Sequence, residues 1–146
     1  MSYDRLMWFG RYEGWLRQLA RGVREKDAEC IGKAAGLFDL MLPKNAVVVP
    51  MPSHTGQADA MLAVAKETGR RVVDCLRCVA HESNYTQKKH GFTPEEIKMW
   101  TFGGEKLPND GVFVIDNVIC SGVTANAALF ALPNAHVCAL AYSTFR

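Results

Sequence analysis

Gly111-Val112-Phe113-Val114-Ile115-Asp116-Asn117-Val118-Ile119-Cys120-Ser121-Gly122-Val123-Thr124 is the stretch that decides the fold. Val112 to Ile115 is an unbroken apolar run, the mark of a strand buried on both faces of a parallel sheet. Asp116 stands at its carboxyl end, and a short loop holding Ser121, Gly122 and Thr124 feeds a helix expected from about Thr124 to Leu132. This order aims backbone N–H groups, a hydroxyl and a helix N-terminus at one point, which suits a phosphate. Gly122 permits close backbone approach or positive φ. Asp116 nearby suits hydroxyls or a cation, so the pair suggests a phosphorylated sugar. The same residues also suit a fold without ligand, with Asp116 ending a strand and Ser121 capping a helix. The stretch is neither a GxxxxGK[ST] loop nor a GxGxxG turn.

Working outward, Ala46 to Val49 reads as a second buried parallel strand, followed by a loop with Pro50, Pro52 and Gly56. Residues 57–68 read as a helix ended by Gly69, Val72 to Val79 as a strand, and Val137 to Tyr142 as the last strand. Toward the N-terminus, Trp8, Tyr12, Trp15, Leu16 and Leu19 recur at spacings of three and four, which predicts one helix over about 3–26. It packs by its aromatic face or serves as a partner or membrane-surface helix. Asp27 is placed to cap a second helix running to about Leu42. Residues 80–110 are polar and weakly periodic, with helix-start chemistry at Thr93-Pro94-Glu95-Glu96, and read as an active-site lid or a surface excursion. The expected fold class is α/β: a parallel twisted sheet flanked by helices, with N-terminal helices. The expected organisation is a single domain, 1–146, with helices over 1–42 and an α/β core over 43–146 carrying the lid at about 80–110.

Composition sets the outer limits. The chain has 146 residues, 49% of them hydrophobic and 22% charged, which argues against disorder and low complexity. A net charge of +2 does not mark a dedicated nucleic-acid or membrane-surface protein. No apolar stretch approaches membrane-spanning length, and the charged N-terminus has no signal-peptide core. The odd set Cys30, Cys75, Cys78, Cys120 and Cys138 reads as reduced thiols, so the expectation is a cytoplasmic protein. Cys75 and Cys78 form a lone CxxC, which reads as strand-end packing; His81 and His90 flank the lid without an evident ligand partner, so no metal is assigned to protein ligands, and His136 reads as structural beside the last strand. Cys120 precedes a helix N-terminus, a place that suits a reactive thiol, but a catalytic thiol is the lesser reading.

The 112–124 stretch resembles the phosphoribosyl-pyrophosphate (PRPP) motif of type I phosphoribosyltransferases: apolar strand, two acids, then a Thr/Ser-rich turn with Gly and Thr. Asp116 matches the first acid, Asn117 takes the place of the second, and Cys120, Ser121, Gly122, Val123 and Thr124 match the phosphate loop. More of the chain resembles the ComF-like, competence-associated branch: Arg11 to Arg17, Val47 to Pro52, Gln57-Ala58 and Tyr85-Thr86-Gln87-Lys88-Lys89. The cysteine module at the front of many ComF-like proteins is absent, and His54-Thr55-Gly56 stands where the branch has Arg-Gly-Phe-Asn.

The resemblance implies a phosphoribosyltransferase using PRPP with magnesium and an unidentified, nucleobase-like acceptor. Asp116 and Asn117 would hold the ribose and residues 120–124 the 5-phosphate. Ser53, His54, Thr55 and Gly56, with Lys88 and Lys89 of the lid, would face the pyrophosphate. The plain alternatives are a simple turn at 53–56 and a solvated lysine pair. Two other functions stay open: a PRPP or nucleotide sensor, or competence accessory protein, acting through a partner, and an interaction protein that kept the fold without the ligand. A homodimer is compatible with each.

Overall fold

The computed structural model describes residues 5–80 and 97–144. In chain order these form β1 (Leu6–Arg11), α1 (Gly14–Arg24), α2 (Ala28–Met41), β2 (Val47–Pro50), α3 (Ala60–Glu67), β3 (Arg71–Val72), β4 (Leu76–Cys78), β5 (Met99–Thr101), β6 (Val112–Ile119), α4 (Val123–Ala131) and β7 (His136–Tyr142). The main sheet runs β1-β7-β6-β2-β3 with every neighbouring pair parallel, and β4 pairs with β5 antiparallel beside it. The expected parallel sheet flanked by helices is therefore present.

The apolar runs follow from this layering. In a strand, successive side chains face opposite sides, so a strand covered on both faces must be apolar throughout. On one face Val48, Phe113, Ile115, Cys138 and Leu140 pack with Leu16, Leu19 and Val23 of α1, Phe38 of α2 and Val64 of α3. On the other, Val47, Val49, Val112, Val114, Val137 and Ala139 pack with Ala125, Ala128 and Leu129 of α4. Gly22 lets α1 and α2 approach, since a methyl group there would stand 2.2 Å from Cys30 Sγ.

The N-terminal segment differs from the expected single helix over 3–26. Leu6–Arg11 is a strand, in parallel register with Val137–Tyr142, and α1 begins only at Gly14. The helical spacing of Trp8 with Tyr12 and Trp15 is real, but Trp8 and Phe9 also suit a strand. Pairing with β7 supplies backbone bonds that an isolated helical turn would have had to form alone. The domain thus draws its sheet from both ends of the chain, and 1–42 is not purely helical.

Val72 to Val79 is likewise divided. Val73 N–H still donates to Val48 O, but Cys75 N–H turns back to Val73 O and β4 leaves the main sheet. Asp74 pairs with Arg77 at 2.9 Å across that bend. Asp27 occupies the N-cap of α2 as expected, although its side chain makes no capping bond. The helix expected at Thr93 to Glu96 lies outside the described residues.

Arg70 ties the helical layer to the sheet. Its guanidinium donates to Pro43 O at 3.0 Å, Leu42 O at 2.9 Å and Thr68 O at 3.1 Å, and it pairs with Asp39. These bonds gather the carboxyl ends of α2 and α3 before β2 and β3. We expect Arg70→Met to lower stability by about 2–4 kcal/mol, because several carbonyls lose their donor together. Urea denaturation of the variant against the parent measures this, with an unchanged midpoint as the contrary result.

Candidate functional site

The sheet topology itself makes a crevice. From β2 the chain passes through α3 to β3 on one side, and from β6 through α4 to β7 on the other. β2 and β6 are neighbours, so the loops leaving their carboxyl ends part in opposite directions. Ligands of open α/β sheets bind at such a switch point. The loops concerned are 51–59 and 120–122, which hold most of the residues singled out in the sequence.

β6 runs longer than its apolar core and carries Asp116 and Asn117 within the strand, still in register with β7 up to Ile119. The strand period of two aligns Asp116 with Val112 and Val114, facing the α4 side, and Asn117 with Phe113 and Ile115. Asn117 accordingly reaches α1: its Nδ2 donates to Ala20 O at 2.7 Å. Its Oδ1 is buried and has no hydrogen-bond partner among the described residues. The two residues expected to hold a ribose together thus direct their side chains to opposite faces. Only Asp116 is presented on the α4 side.

Asp116 is partly buried and, among the described residues, accepts one bond, from its neighbour's backbone N–H at 2.7 Å. Burial pushes its carboxyl up to about 6, and that single N–H opposes the rise only in part. An acid held near neutrality in a crevice is the condition of many binding and catalytic groups.

The turn after β6 is built for a close approach. Gly122 is the N-cap of α4 at φ +85, the left-handed region that glycine enters at least cost. Its carbonyl receives the first helical bond, from Asn126 N–H at 2.8 Å, and Ser121 Oγ accepts from Val123 N–H at 3.4 Å. Ser121 is exposed while Gly122 is buried. Cys120, Ser121, Gly122, Val123 and Thr124 therefore form one continuous strand-to-helix turn, as expected. The α4 N-terminus supplies its partial positive charge there.

The turn after β2 is held more tightly than expected. Ser53 N–H donates to Gln57 O, Gly56 N–H to Ser53 O, and Thr55 N–H to Ser53 Oγ. Ser53 Oγ also lies 2.6 Å from Thr55 Oγ1. The backbone donors of Ser53, Thr55 and Gly56 are engaged within the loop, so what it offers outward is chiefly the exposed His54 and Thr55 side chains.

Gly56 fastens this loop to the smaller sheet. Its carbonyl accepts from Cys78 N–H at 2.9 Å, and at φ +104 a methyl group would meet Cys78 O at 2.7 Å. Cys78 Sγ lies 3.6 Å from Ser53 O. The CxxC pair packs at this junction: Cys75 and Cys78 are both buried, and burial raises both thiols. Among the described residues no three His, Cys, Asp or Glu are grouped to hold a metal. His136 stacks on Phe113 at 5.2 Å, a packing role.

β4 and β5 form the stem of the expected lid: Cys78 stands opposite Met99, and Arg77 lies over the Phe102 ring at 4.7 Å. Lys88 and Lys89, with His81 and His90, lie outside the described residues. The sequence did not point to the bond between Gly56 and Cys78, because it joins residues with no shared motif. No helix among the described residues is long and apolar enough to cross a membrane. Neither models of known protein families nor curated proteins match this chain.

The raised carboxyl has a definite sign. Asp116 ordinarily ionises at 3.8 and here at about 6, so between these values the folded state holds more protons than the unfolded chain. Stability from this group is complete below pH 4 and is lost as pH rises through about 6, an amount of about 3 kcal/mol. We expect Asp116→Asn, whose Oδ1 keeps the Asn117 N–H bond, to melt higher than the parent at pH 8 and level with it at pH 4. Thermal melts across that range test this, and a constant difference would contradict it.

Proposed function

We propose that this protein binds PRPP in the crevice between β2 and β6 and transfers its phosphoribosyl group to a nucleobase-like acceptor. The observation that carries the reading is the placement, at a topological switch point, of one near-neutral carboxyl and a glycine turn opening a helix. The resemblance of residues 112–124 to the PRPP motif of type I phosphoribosyltransferases, and of the wider chain to their ComF-like branch, supports it.

In this reading the α4 N-terminus with Ser121, Gly122, Val123 and Thr124 receives the 5-phosphate, and Asp116 accepts the ribose hydroxyls. Hydroxyl donors favour the carboxylate, so ligand binding returns the Asp116 pKa toward its ordinary value. His54 and Thr55 meet the diphosphate. Magnesium, if bound, would come with the substrate and would supply positive charge to offset the departing diphosphate, as suits a hard cation that favours oxygen ligands. An acceptor nitrogen forms the bond to the anomeric carbon as the carbon–oxygen bond to diphosphate breaks. The electron pair leaves on diphosphate and the acceptor's proton goes to solvent. The protein contributes position and fixed charge rather than covalent chemistry.

One observation favours a second reading, a sensor or competence accessory protein with weak or no turnover. Asn117, in place of the second acid, uses its amide on Ala20 O and adds no charge to the site. Turnover without a partner separates the two readings.

Calorimetric titration with PRPP, with and without magnesium, is the test. We expect saturable binding that Asp116→Ala weakens about a hundredfold, consistent with loss of charge-assisted bonds. We also expect parent affinity to fall below pH 6 more steeply than that of Asp116→Asn. Absence of heat at millimolar PRPP with the protein folded would overturn the reading, and diphosphate release on adding nucleobases would favour the transferase over the sensor.

A further inference from the structure

We infer that Arg24 of α1 binds the diphosphate of PRPP, supplying positive charge that the loop after β2 withholds. The inference rests on the PRPP reading of the crevice and adds a binding residue from outside the 53–56 and 112–124 segments. That loop turns its amides inward: Ser53 N–H donates to Gln57 O, Thr55 N–H to Ser53 Oγ and Gly56 N–H to Ser53 O. Its exposed His54 and Thr55 side chains offer hydrogen bonds but no fixed cation. A diphosphate carries several negative charges. A guanidinium is always charged and presents a planar fork of donors that matches phosphate oxygens.

α1 brings such a group to the crevice. Its entry is tied to the end of β7, where Tyr12 N–H donates to Tyr142 O. Its middle is tied to β6 by Asn117 Nδ2, which donates to Ala20 O at 2.7 Å. Just past its end, Lys26 Nζ pairs with Asp59 Oδ2 at 2.7 Å, where the loop after β2 enters α3. α1 thus crosses the carboxyl ends of β7 and β6 and finishes at the β2 loop. α2 lies on its other flank. A methyl group on Gly22 would meet Cys30 Sγ, and Met41 Sδ stands 3.9 Å from Cys138 Sγ, nearer the amino end of β7.

Helical geometry selects Arg24. It follows Ala20 by four residues, so the two share a face, about 6 Å apart along the axis. It lies about 160° around the helix from Gly22, away from α2. A helical side chain leans back over the turn before it, and for Arg24 that is the turn Asn117 bonds. Arg24 is exposed, and among the described residues no carboxylate pairs with it. Arg17 shares the face, but its guanidinium lies over the Tyr12 ring at 5.7 Å, toward β7. The crevice therefore has Asp116 and the α4 N-terminus on one face of the sheet and Arg24 on the other. With the 5-phosphate at α4, the diphosphate falls to Arg24.

Calorimetric titration with PRPP, inorganic diphosphate and ribose 5-phosphate, each with magnesium, is the test. It compares the parent with Arg24→Gln, Arg24→Lys and Lys33→Gln. Lys33 pairs with Glu29 on α2, so its variant removes an equal charge away from the crevice. We expect Arg24→Gln to weaken PRPP and diphosphate binding about thirtyfold, as suits loss of a charged hydrogen bond, and to leave ribose 5-phosphate unchanged. Arg24→Lys should recover part of the loss, and Lys33→Gln should match the parent. Unchanged PRPP affinity in Arg24→Gln, or an equal loss of ribose 5-phosphate, would overturn this inference alone. A parent that binds no PRPP would overturn the PRPP reading and this inference with it. Should Arg24→Gln unfold, Arg24→Lys decides, since it keeps the charge and loses the fork. Weaker diphosphate binding with ribose 5-phosphate unchanged supports the inference, and parent affinity for both overturns it.

Discussion

The parallel pairing of β6 with β2 on one side and β7 on the other is the constraint on which the rest of the structure depends. A strand bonded along both edges and covered on both faces can carry little but apolar side chains. That requirement places α1, α2 and α3 on one face and α4 on the other. It also fixes where the chain must leave the sheet. The β2 and β6 loops emerge side by side and diverge, and the crevice is the direct result of that divergence.

Asp116 sits where these demands conflict. The strand period aligns it with Val112 and Val114, among apolar neighbours, yet its position near the carboxyl end brings it to the crevice. The chain bears a partly buried carboxyl with one backbone bond, and its acidity falls accordingly. Asn117 shows a related cost: it secures α1 through Ala20, while its Oδ1 is buried without a partner among the described residues. Features that lower stability next to a cleft are the usual signature of a site kept for binding. The loop after β2 is rigid for a separate reason, since Gly56 and Cys78 clasp it to β4.

Most of the sheet was legible because continuous apolar runs have few alternatives. Val47 to Val49, Val112 to Ile115 and Val137 to Tyr142 all appear as parallel strands. The turn at Ser121-Gly122 was legible because an acid, a small hydroxyl residue and glycine in that order leave the chain little else to do. The N-terminal segment was not. Trp8 to Leu19 satisfies helical spacing, but the open edge of β7 offers a backbone ladder, and a long-range bond partner leaves no mark in local spacing. The same limit hid the break between β3 and β4 and the engagement of the Ser53, Thr55 and Gly56 amides within their own loop.

The sequence by itself determined the layered α/β class, the strands at the sheet's centre and the residues available to a site, because periodicity and residue chemistry are local properties. The tertiary structure alone decided that the chain's first strand closes one edge of the sheet, that Asp116 and Asn117 serve opposite faces, and that the two loops share one crevice. Each of those depends on which distant backbone or side chain stands opposite, and chain order does not encode that distance.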